Sequence, residues 1–233
     1  MSLRACAVIP AYNAAATLGP LAQQIRQLGL DLVIVDDGST DETARVATQT
    51  GTMVISHLRN QGKGAALRTG FAYAVQAGYE VVVTLDSDGQ HDPADIPRLL
   101  EAASQPDGAV VIGCRTLARG SMPFARRWVN RLMSRVVSVM ARHRIPDSQC
   151  GLRVIRREVL QAVRLSGRRF DLETELLLAA AHRGWRARSV PIRTIYHQRA
   201  SHIDPIVDGL RFMRLIAWYS LGLHQWNGPA QRP

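Results

Sequence analysis

The sequence is poor in several residue types, and each shortage excludes a class of protein. It has three cysteines, Cys6, Cys114 and Cys150, whose spacing matches neither a disulfide framework nor a set of zinc ligands. We therefore expect reduced thiols, as in a cytoplasmic protein. No window of about 20 apolar residues occurs, so no segment is predicted to cross a bilayer. The apolar stretch near the N-terminus is interrupted by Pro10 and is shorter than a signal peptide requires.

Lysine is almost missing, since Lys63 is the only lysine among 29 basic residues. We attribute this preference for arginine mainly to a GC-rich genome. The formal net charge is +10, and residues 115–169 hold fourteen arginines against two acids. Such a region attracts nucleic acid, an anionic membrane surface or a phosphorylated substrate. Aromatic residues make up 6% of the chain, and no helix-turn-helix or stacking pattern occurs, so nucleic acid is not an expected partner.

The first half alternates Val- and Ile-rich runs with helical segments. The runs are continuously apolar, which is typical of strands buried on both faces of a parallel sheet; they span residues 5–9, 32–35, 52–55, 81–85 and 109–112. The helical segments include residues 39–50, where Ser39 and Glu42 match a capping box, and residues 63–77, ended by Gly78. These repeats predict an α/β fold with a doubly wound, mostly parallel sheet that binds ligands beyond the carboxyl ends of its strands.

Amphipathic helices are predicted in the C-terminal half. In residues 123–142 apolar side chains recur at four-residue spacing, and Arg127, Arg131 and Arg135 follow another face. Residues 205–224 form a second such helix. The apolar face of either helix is suited to packing on the protein's own core or to lying in a membrane interface.

A pair of carboxylates follows the fourth strand. Residues 86–91 read Asp-Ser-Asp-Gly-Gln-His, and Gly89 permits a bend that points Asp86 and Asp88 to one side. Carboxylate and amide oxygens suit Mg²⁺ or Mn²⁺, which complete their shell with water and phosphate oxygens. We therefore predict a metal site formed by Asp86, Asp88 and Gln90, although an ordinary polar turn has the same local pattern.

Two further motifs lie beyond strand ends. In the run Asp-Asp-Gly-Ser at residues 36–39, a free carboxylate at Asp37 is expected to accept a hydrogen bond from a nucleobase. Gly62, Lys63 and Gly64 open the helix after the third strand, where exposed amides and the ammonium group are expected to converge on a phosphate. The spacing is not that of a Walker A loop.

The order of these motifs resembles family 2 glycosyltransferases of the GT-A fold. The resemblance rests on residues 8–13, 36–39, 60–64 and 86–91 and covers residues 5–203. Three later segments resemble the dolichyl- and polyprenyl-phosphate mannosyl- and glucosyltransferases: Gly113-Cys114-Arg115, residues 147–154 with Arg157, and Phe170 with Glu173. One departure follows Ile192, where the family has Arg and then Gly-x-Ser-Lys but this chain has His197, Arg199, Ser201 and His202.

The resemblance implies a role for each matching residue. The implied nucleotide-sugar-binding residues are Pro10, Ala11, Tyr12, Asn13, Asp37, Lys63, Asp86 and Ser87. The implied metal ligands are Asp86, Asp88 and Gln90, and the implied catalytic residues are Asp88, Arg115 and Glu173. The implied contacts to the phosphate of the acceptor are Arg115, Arg131 and Arg199.

The resemblance also implies an activity: inverting transfer of a hexose from a GDP or UDP sugar to a polyprenyl phosphate, with Mg²⁺ or Mn²⁺. Residues 1–233 would form one domain, with a nucleotide-sugar and metal half (1–115), an acceptor half (116–204) and a C-terminal amphipathic helix (205–224). The protein would act in the cytoplasm, peripherally on the membrane. The alternative is a hydroxyl acceptor, which requires a carboxylate base such as Asp171, Glu173 or Glu175. A nucleic-acid-binding protein is the least favoured reading.

Overall fold

The computed structural model describes residues 3–115, 124–169, 171–193 and 205–221. One sheet contains seven strands: β1 (Ala5–Ala11), β2 (Asp31–Asp36), β3 (Met53–Ser56), β4 (Val81–Thr84), β5 (Val110–Cys114), β6 (Arg153–Arg156) and β7 (Ala187–Pro191). The helices are α1 (Ala15–Gln27), α2 (Thr43–Gln49), α3 (Lys63–Gln76), α4 (Ile96–Ala103), α5 (Phe124–Ala141), α6 (Arg157–Ala162), α7 (Asp171–His182) and α8 (Pro205–Ser220), and a 3₁₀ turn spans Pro93–Asp95.

The strand order across the sheet is β3-β2-β1-β4-β6-β5-β7. Strand β6 runs antiparallel to its neighbours β4 and β5, whereas the other paired strands are parallel. The predicted α/β fold with a mostly parallel sheet is thus confirmed. Strand β6 was not predicted from the sequence, and it inserts a segment from the second half between two strands of the first half.

Burial explains why the strand sequences are continuously apolar. All residues of β4 and β5 are buried, as are all but the first residue of β1, whereas the edge strands β3 and β7 are partly exposed. Helix α3 packs on β1 and β2, and α4 packs on β5 and β6. Both faces of the central strands are therefore covered, as in other sheets of this class.

The site is placed by a reversal in strand order at β1. The chain adds β2 and β3 on one side of β1 and then returns to place β4 on the other side. Loops that leave neighbouring strands in opposite directions open a crevice beyond their carboxyl ends. The loops after β1, β2 and β4 all carry predicted site residues and lie at this edge of the sheet.

The predicted capping box at Ser39 and Glu42 is wrong. Helix α2 begins at Thr43, and its preceding residue Glu42 makes no side-chain cap. The backbone N–H of Thr43 instead donates to Asp41 Oδ1 over 2.9 Å. The hydroxyl oxygen of Ser39 accepts a hydrogen bond from the N–H of Asn13 over 3.0 Å, so it serves the loop after β1.

Both predicted amphipathic helices are present as α5 and α8, although Pro123 and residues 222–224 lie outside the described residues. A bilayer needs roughly 20 apolar residues in one helix. None of the helices in the described ranges meets that requirement.

We predict that Gly70→Ala destabilises the protein, because a Cβ atom there would lie 2.3 Å from Val8 Cγ1 and force α3 away from β1. Overpacking of this kind costs about 1–3 kcal/mol, partly offset by the better helix propensity of alanine. Gly209→Ala in α8 is the matched control, since its Cβ would meet nothing within 4 Å. Urea denaturation of the two variants gives the comparison, and equal midpoints would contradict the packing argument.

Candidate active site

The turn after β4 is held in a fixed conformation. Oδ1 of Asp88 accepts a hydrogen bond from the N–H of Gln90 over 2.9 Å. Gly89 has a φ of 74°, a left-handed value that favours glycine. The carbonyl oxygen of Ser87 accepts from the Thr17 hydroxyl over 2.6 Å. The turn is thereby tied to α1, and the predicted metal ligands lie in one compact loop.

Lys63 lies between two carboxylates from distant parts of the chain. Its ammonium group is 2.5 Å from Asp86 Oδ1 and 3.0 Å from Glu173 Oε2, and its side chain is only 18% exposed. Burial would lower the pKa of Lys63, but the charges and hydrogen bonds of Asp86 and Glu173 outweigh it and raise the pKa above its usual value. Lys63 is therefore a permanent cation that joins α3, the loop after β4 and α7.

The two aspartates of the turn affect each other's protonation. Burial would raise the pKa of Asp86, but the positive charge of Lys63 and the hydrogen bond from His91 hold it well below its usual range. The pKa of Asp88 is raised, first by burial and then by the negative charge of Asp86. Two carboxylates that repel each other in this way are stabilised by a cation.

The residues present fit a hard divalent cation that would take only some of its ligands from the protein. In the described part of the chain, no three His, Cys, Asp or Glu side chains form a metal-binding cluster. Asp86, Asp88 and Gln90 supply two carboxylates and one amide, so phosphate oxygens and water would complete the shell, as is usual for Mg²⁺. His91 lies beside them with Nε2 3.5 Å from Asp86 Oδ2, and its buried Nδ1 lacks a hydrogen-bond partner among the described residues.

Gly151 is a site residue that sequence reasoning missed. A Cβ atom at this position would lie 2.3 Å from Asp86 Oδ2, so only glycine allows the chain to pass so close to that carboxylate. The carbonyl oxygen of Gly151 accepts from the Thr84 hydroxyl over 2.7 Å. The motif at residues 147–154 contains this glycine, but its contact with the turn after β4 depends on the position of β6.

Arg115, which the resemblance predicts to contact the phosphate of the acceptor, is paired with a carboxylate of the protein. Nε and Nη2 of Arg115 each donate to Asp147 over 2.9 Å, and the backbone N–H of Arg115 donates to the same carboxylate over 3.0 Å. Asn130 donates to Asp147 as well, over 2.9 Å. One edge of the guanidinium group is thus occupied by a buried aspartate, which fixes its orientation.

The prediction of a free carboxylate at Asp37 is wrong. This side chain is 1% exposed. Its Oδ1 lies 2.7 Å from His57 Nδ1 and accepts from the N–H of Gln61 over 3.0 Å, and its Oδ2 accepts from the N–H of Gly62 over 2.7 Å. The carboxylate therefore holds the loop before α3 instead of facing an open nucleobase site.

At the start of α3, where exposed amides were predicted, one amide is already paired within the protein. The N–H of Ala65 donates to the carbonyl oxygen of Arg168 over 3.0 Å. The backbone of Arg168 and Arg169 lies so close that a Cβ on Gly62 or Gly64 would come within 2.4 or 2.6 Å of it. The glycines of the Gly-Lys-Gly motif therefore allow two chain segments to touch, and the Lys63 side chain is the part that reaches the site.

The other predicted residues differ in accessibility. Pro10 and Ala11 end β1 and are buried, whereas the Tyr12 ring is 38% exposed. Asn13 has a φ of 50°, and its side-chain oxygen accepts from the N–H of Thr40 over 2.9 Å. Arg131 is exposed on α5. Phe170, His197, Arg199, Ser201 and His202 lie outside the described residues.

A family model described as glycosyl transferase family 2 matches residues 6–164 of this chain. The chain belongs to that family. The match spans the strand-end motifs, the Lys63–Asp86 pair and the Arg115–Asp147 pair. The GT-A fold expected for this glycosyltransferase is also confirmed by solved structures that are similar to it.

Curated relatives and a solved structure extend the comparison. An undecaprenyl-phosphate mannosyltransferase of Micrococcus luteus is 31% identical over 82% of this chain and 83% of its own. A UDP-N-acetylglucosamine–dolichyl-phosphate N-acetylglucosaminyltransferase of Methanococcus voltae is 28% identical over 81% of this chain and 84% of its own. Glucosyl-3-phosphoglycerate synthase of Mycobacterium tuberculosis, crystallised with Mn²⁺, UDP and phosphoglyceric acid, has a TM-score of 0.72 at 22% identity, over 94% of this chain and 78% of its own.

We predict a pH-dependent stability contribution from Asp147. Burial would raise the pKa of Asp147, but the hydrogen bonds and charge of Arg115 outweigh it and lower the pKa below its usual value. A lowered pKa in the folded state stabilises above the unfolded-state value of about 3.9 and stops doing so as pH falls through the folded-state value. Asp147→Asn should therefore cost about 3–5 kcal/mol near pH 7, with the difference from wild type shrinking in acid.

Denaturation at several pH values checks this expectation, and Asp107→Asn is the control. Asp107 also pairs with an arginine, Arg188, over 3.1 Å, but its side chain is 70% exposed. Exposed pairs contribute about 0–1 kcal/mol. A difference for Asp147→Asn that is independent of pH, or equal to that of the control, would contradict the assigned charge.

Proposed function

We propose that this glycosyltransferase moves a hexose from a nucleoside-diphosphate sugar to a polyprenyl phosphate, with inversion at the anomeric carbon. The observation that carries the proposal is the cluster of Lys63, Asp86 and Asp88 beyond the carboxyl end of β4. There the Lys63 ammonium group adjoins Asp86, and the pKa of Asp88 is raised by burial and by the negative charge of Asp86. A divalent cation would supply positive charge to these carboxylates and would be shared with the diphosphate of the donor.

Each residue of the cluster has a role in this proposal. Asp86, Asp88 and Gln90 would hold Mg²⁺ or Mn²⁺, which when bound neutralises the charge of the departing diphosphate. Lys63 would contribute a second positive charge next to the diphosphate. Glu173 would position Lys63 through their 3.0 Å ion pair. Ser87 and the exposed ring of Tyr12 would line the donor site, with Pro10, Ala11 and Asn13 shaping the loop beneath it.

The contacts of the candidate bases favour a phosphate acceptor over a hydroxyl. Glu173 has one oxygen on Lys63 and the other 4.0 Å from Arg153. Glu175 accepts hydrogen bonds from the backbone of Ser166 and Gly167. The third candidate, Asp171, accepts from the N–H of Arg169. A phosphate acceptor is already anionic and requires no such base, and Arg115, oriented by Asp147, would meet it together with Arg131 and Arg199.

The exposed face of α5 supports contact with a membrane. Trp128, Val129, Leu132 and Val139 are between 56% and 78% exposed, and Arg131 and Arg135 are exposed on the same helix. Apolar side chains interleaved with arginines are suited to the interface of a bilayer with anionic headgroups. A polyprenyl phosphate presents its phosphate at such an interface, so we propose a peripheral position on the cytoplasmic face of the membrane.

We predict that Asp88→Ala lowers turnover by about 10²-fold or more, the scale of losing one electrostatic stabiliser of the transition state. The assay screens UDP and GDP sugars with undecaprenyl or dolichyl phosphate in chelator-treated buffer with defined Mg²⁺ or Mn²⁺. Glu101→Ala, an exposed acid on α4, serves as the control and should keep its activity. A near-normal rate for a folded Asp88→Ala protein would remove the metal assignment, and transfer only to hydroxyl acceptors would overturn the proposed acceptor.

We predict that the double substitution Leu132→Glu and Val139→Glu weakens binding to vesicles that contain anionic lipid by about tenfold or more, since it removes buried apolar area and adds repulsion. Leu28→Glu, at an exposed apolar position at the end of α1, is the control. Co-sedimentation at fixed salt measures both. Equal binding by the two proteins would place the membrane contact elsewhere.

A further inference from the structure

A histidine that the proposed chemistry does not use lies beneath the donor site. The side chain of His57 follows β3 and is 10% exposed. Its Nδ1 lies 2.7 Å from Asp37 Oδ1, and its Nε2 lies 2.9 Å from the Thr69 hydroxyl oxygen. The imidazole therefore spans from the end of β2 to the second turn of α3.

The hydrogen-bond partners of the His57 ring determine which ring nitrogen carries a proton. The Asp37 carboxylate also receives two backbone N–H groups and can only accept, so Nδ1 of His57 carries the proton between them. The Thr69 hydroxyl lies within 3.2 Å of the Ala65 carbonyl oxygen in the same helix. Both ring nitrogens thus have partners on elements that flank the loop of residues 58–62.

The order Asp37, His57, Thr69 has the outline of an acid, a base and a nucleophile, but its surroundings favour a different role. Asp37 is 1% exposed, and the Thr69 hydroxyl faces the backbone of its own helix. A nucleophile needs space for a reacting atom about 3 Å away. The buried contacts are those of a positioning group.

The cluster of Asp37, His57 and Thr69 positions the start of α3. Asp37 accepts from the N–H groups of Gln61 and Gly62, the two residues directly before Lys63. Gly62 has a φ of 98°, and because glycine adopts φ values of either sign, the contacts with Asp37 help to select this conformation. A rotation there would shift the backbone of Lys63 and so change the reach of its ammonium group toward Asp86, 2.5 Å away.

We propose that His57 is a positioning residue of the donor site. It fixes the Asp37 carboxylate, which fixes the loop before α3 and so preorganises Lys63 for a diphosphate. This inference rests on the proposed function for its ligand, while its structural step is measurable without one. Preorganisation lowers the free-energy cost of ordering a loop at the moment of binding. Removing the contact between His57 and Asp37 is therefore expected to lower the affinity for the nucleotide.

Two substitutions distinguish the roles of the two ring nitrogens of His57. His57→Asn places an amide N–H near the position of Nδ1 and keeps a donor for Asp37, whereas His57→Gln places one near Nε2 and loses it. Hydrogen exchange of the Gln61 and Gly62 amides in the ligand-free protein should accelerate at least tenfold in His57→Gln and stay within threefold of wild type in His57→Asn. A hydrogen bond to a buried charged group accounts for a change of about tenfold or more.

Calorimetric titration with UDP and with GDP, each with Mg²⁺, is the second measurement. His57→Gln should lower the affinity for the nucleotide about tenfold, and His57→Asn and Thr69→Val should lower it less than threefold. Thermal unfolding is recorded for each variant. In the wild-type protein, the Nδ1–H signal of His57 in a ¹⁵N–¹H spectrum should be protected from exchange, a test that requires no variant.

The outcomes distinguish the inference from the proposed function. Tight nucleotide binding by wild type with equal affinity in His57→Gln and His57→Asn would overturn the role of His57 and leave the proposed function standing. An unprotected Nδ1–H signal would overturn it as well. Failure of wild type to bind either nucleotide would sink the proposed donor and the positioning role together, even if amide exchange still links His57 to the loop.

Discussion

The charge pairing around Lys63 is the interaction on which the rest of the site depends. Without its ammonium group, Asp86 and Glu173 would face each other across a partly buried space, and Asp88 would add a third negative charge nearby. Like charges in such a space raise one another's pKa and push the elements that carry them apart. Because lysine is a compact charge on a flexible stem, it can stabilise this cluster and still turn toward a diphosphate without backbone movement.

A buried arginine joins this cluster to the acceptor side of the fold. Arg153 donates to the carbonyl oxygens of Cys150 and Ser148, each over 2.8 Å, and to that of Glu173 over 2.5 Å. The segment it fixes carries Gly151 against Asp86 at one end and Asp147 against Arg115 at the other. The positive charge of residues 115–169 is thus divided in two: some arginines fix the interior, and others, such as Arg131 and Arg168, face solvent.

The features that the sequence predicts correctly are local. A continuous apolar run, a glycine after a helix and the turn at residues 86–90 are each specified by neighbouring residues. The predictions that are wrong concern residues whose contact partners are distant in the sequence. Asp37 is buried because His57 and the loop before α3 pack against it. Ser39 does not cap α2 because its hydroxyl oxygen accepts a hydrogen bond from the backbone N–H of Asn13. The Ala65 amide of α3 is occupied by the carbonyl oxygen of Arg168, more distant in sequence than any local pattern can show. Strand β6 is short and has an arginine at each end, so it is recognised as a strand only by its pairing with β4 and β5.

Helix α5 has polar contacts on its buried side and apolar residues on its exposed side. Its buried side is partly polar, because Asn130 donates to Asp147 and Ser134 accepts from the N–H of Ser148. Its outer side carries exposed apolar residues, and apolar surface left in water costs about 25 cal/mol for each Å². An apolar phase over that face would remove this cost. The same helix holds Asp147 through Asn130, and Asp147 in turn orients Arg115, so the proposed phosphate contact and the proposed membrane contact are joined by one packing arrangement.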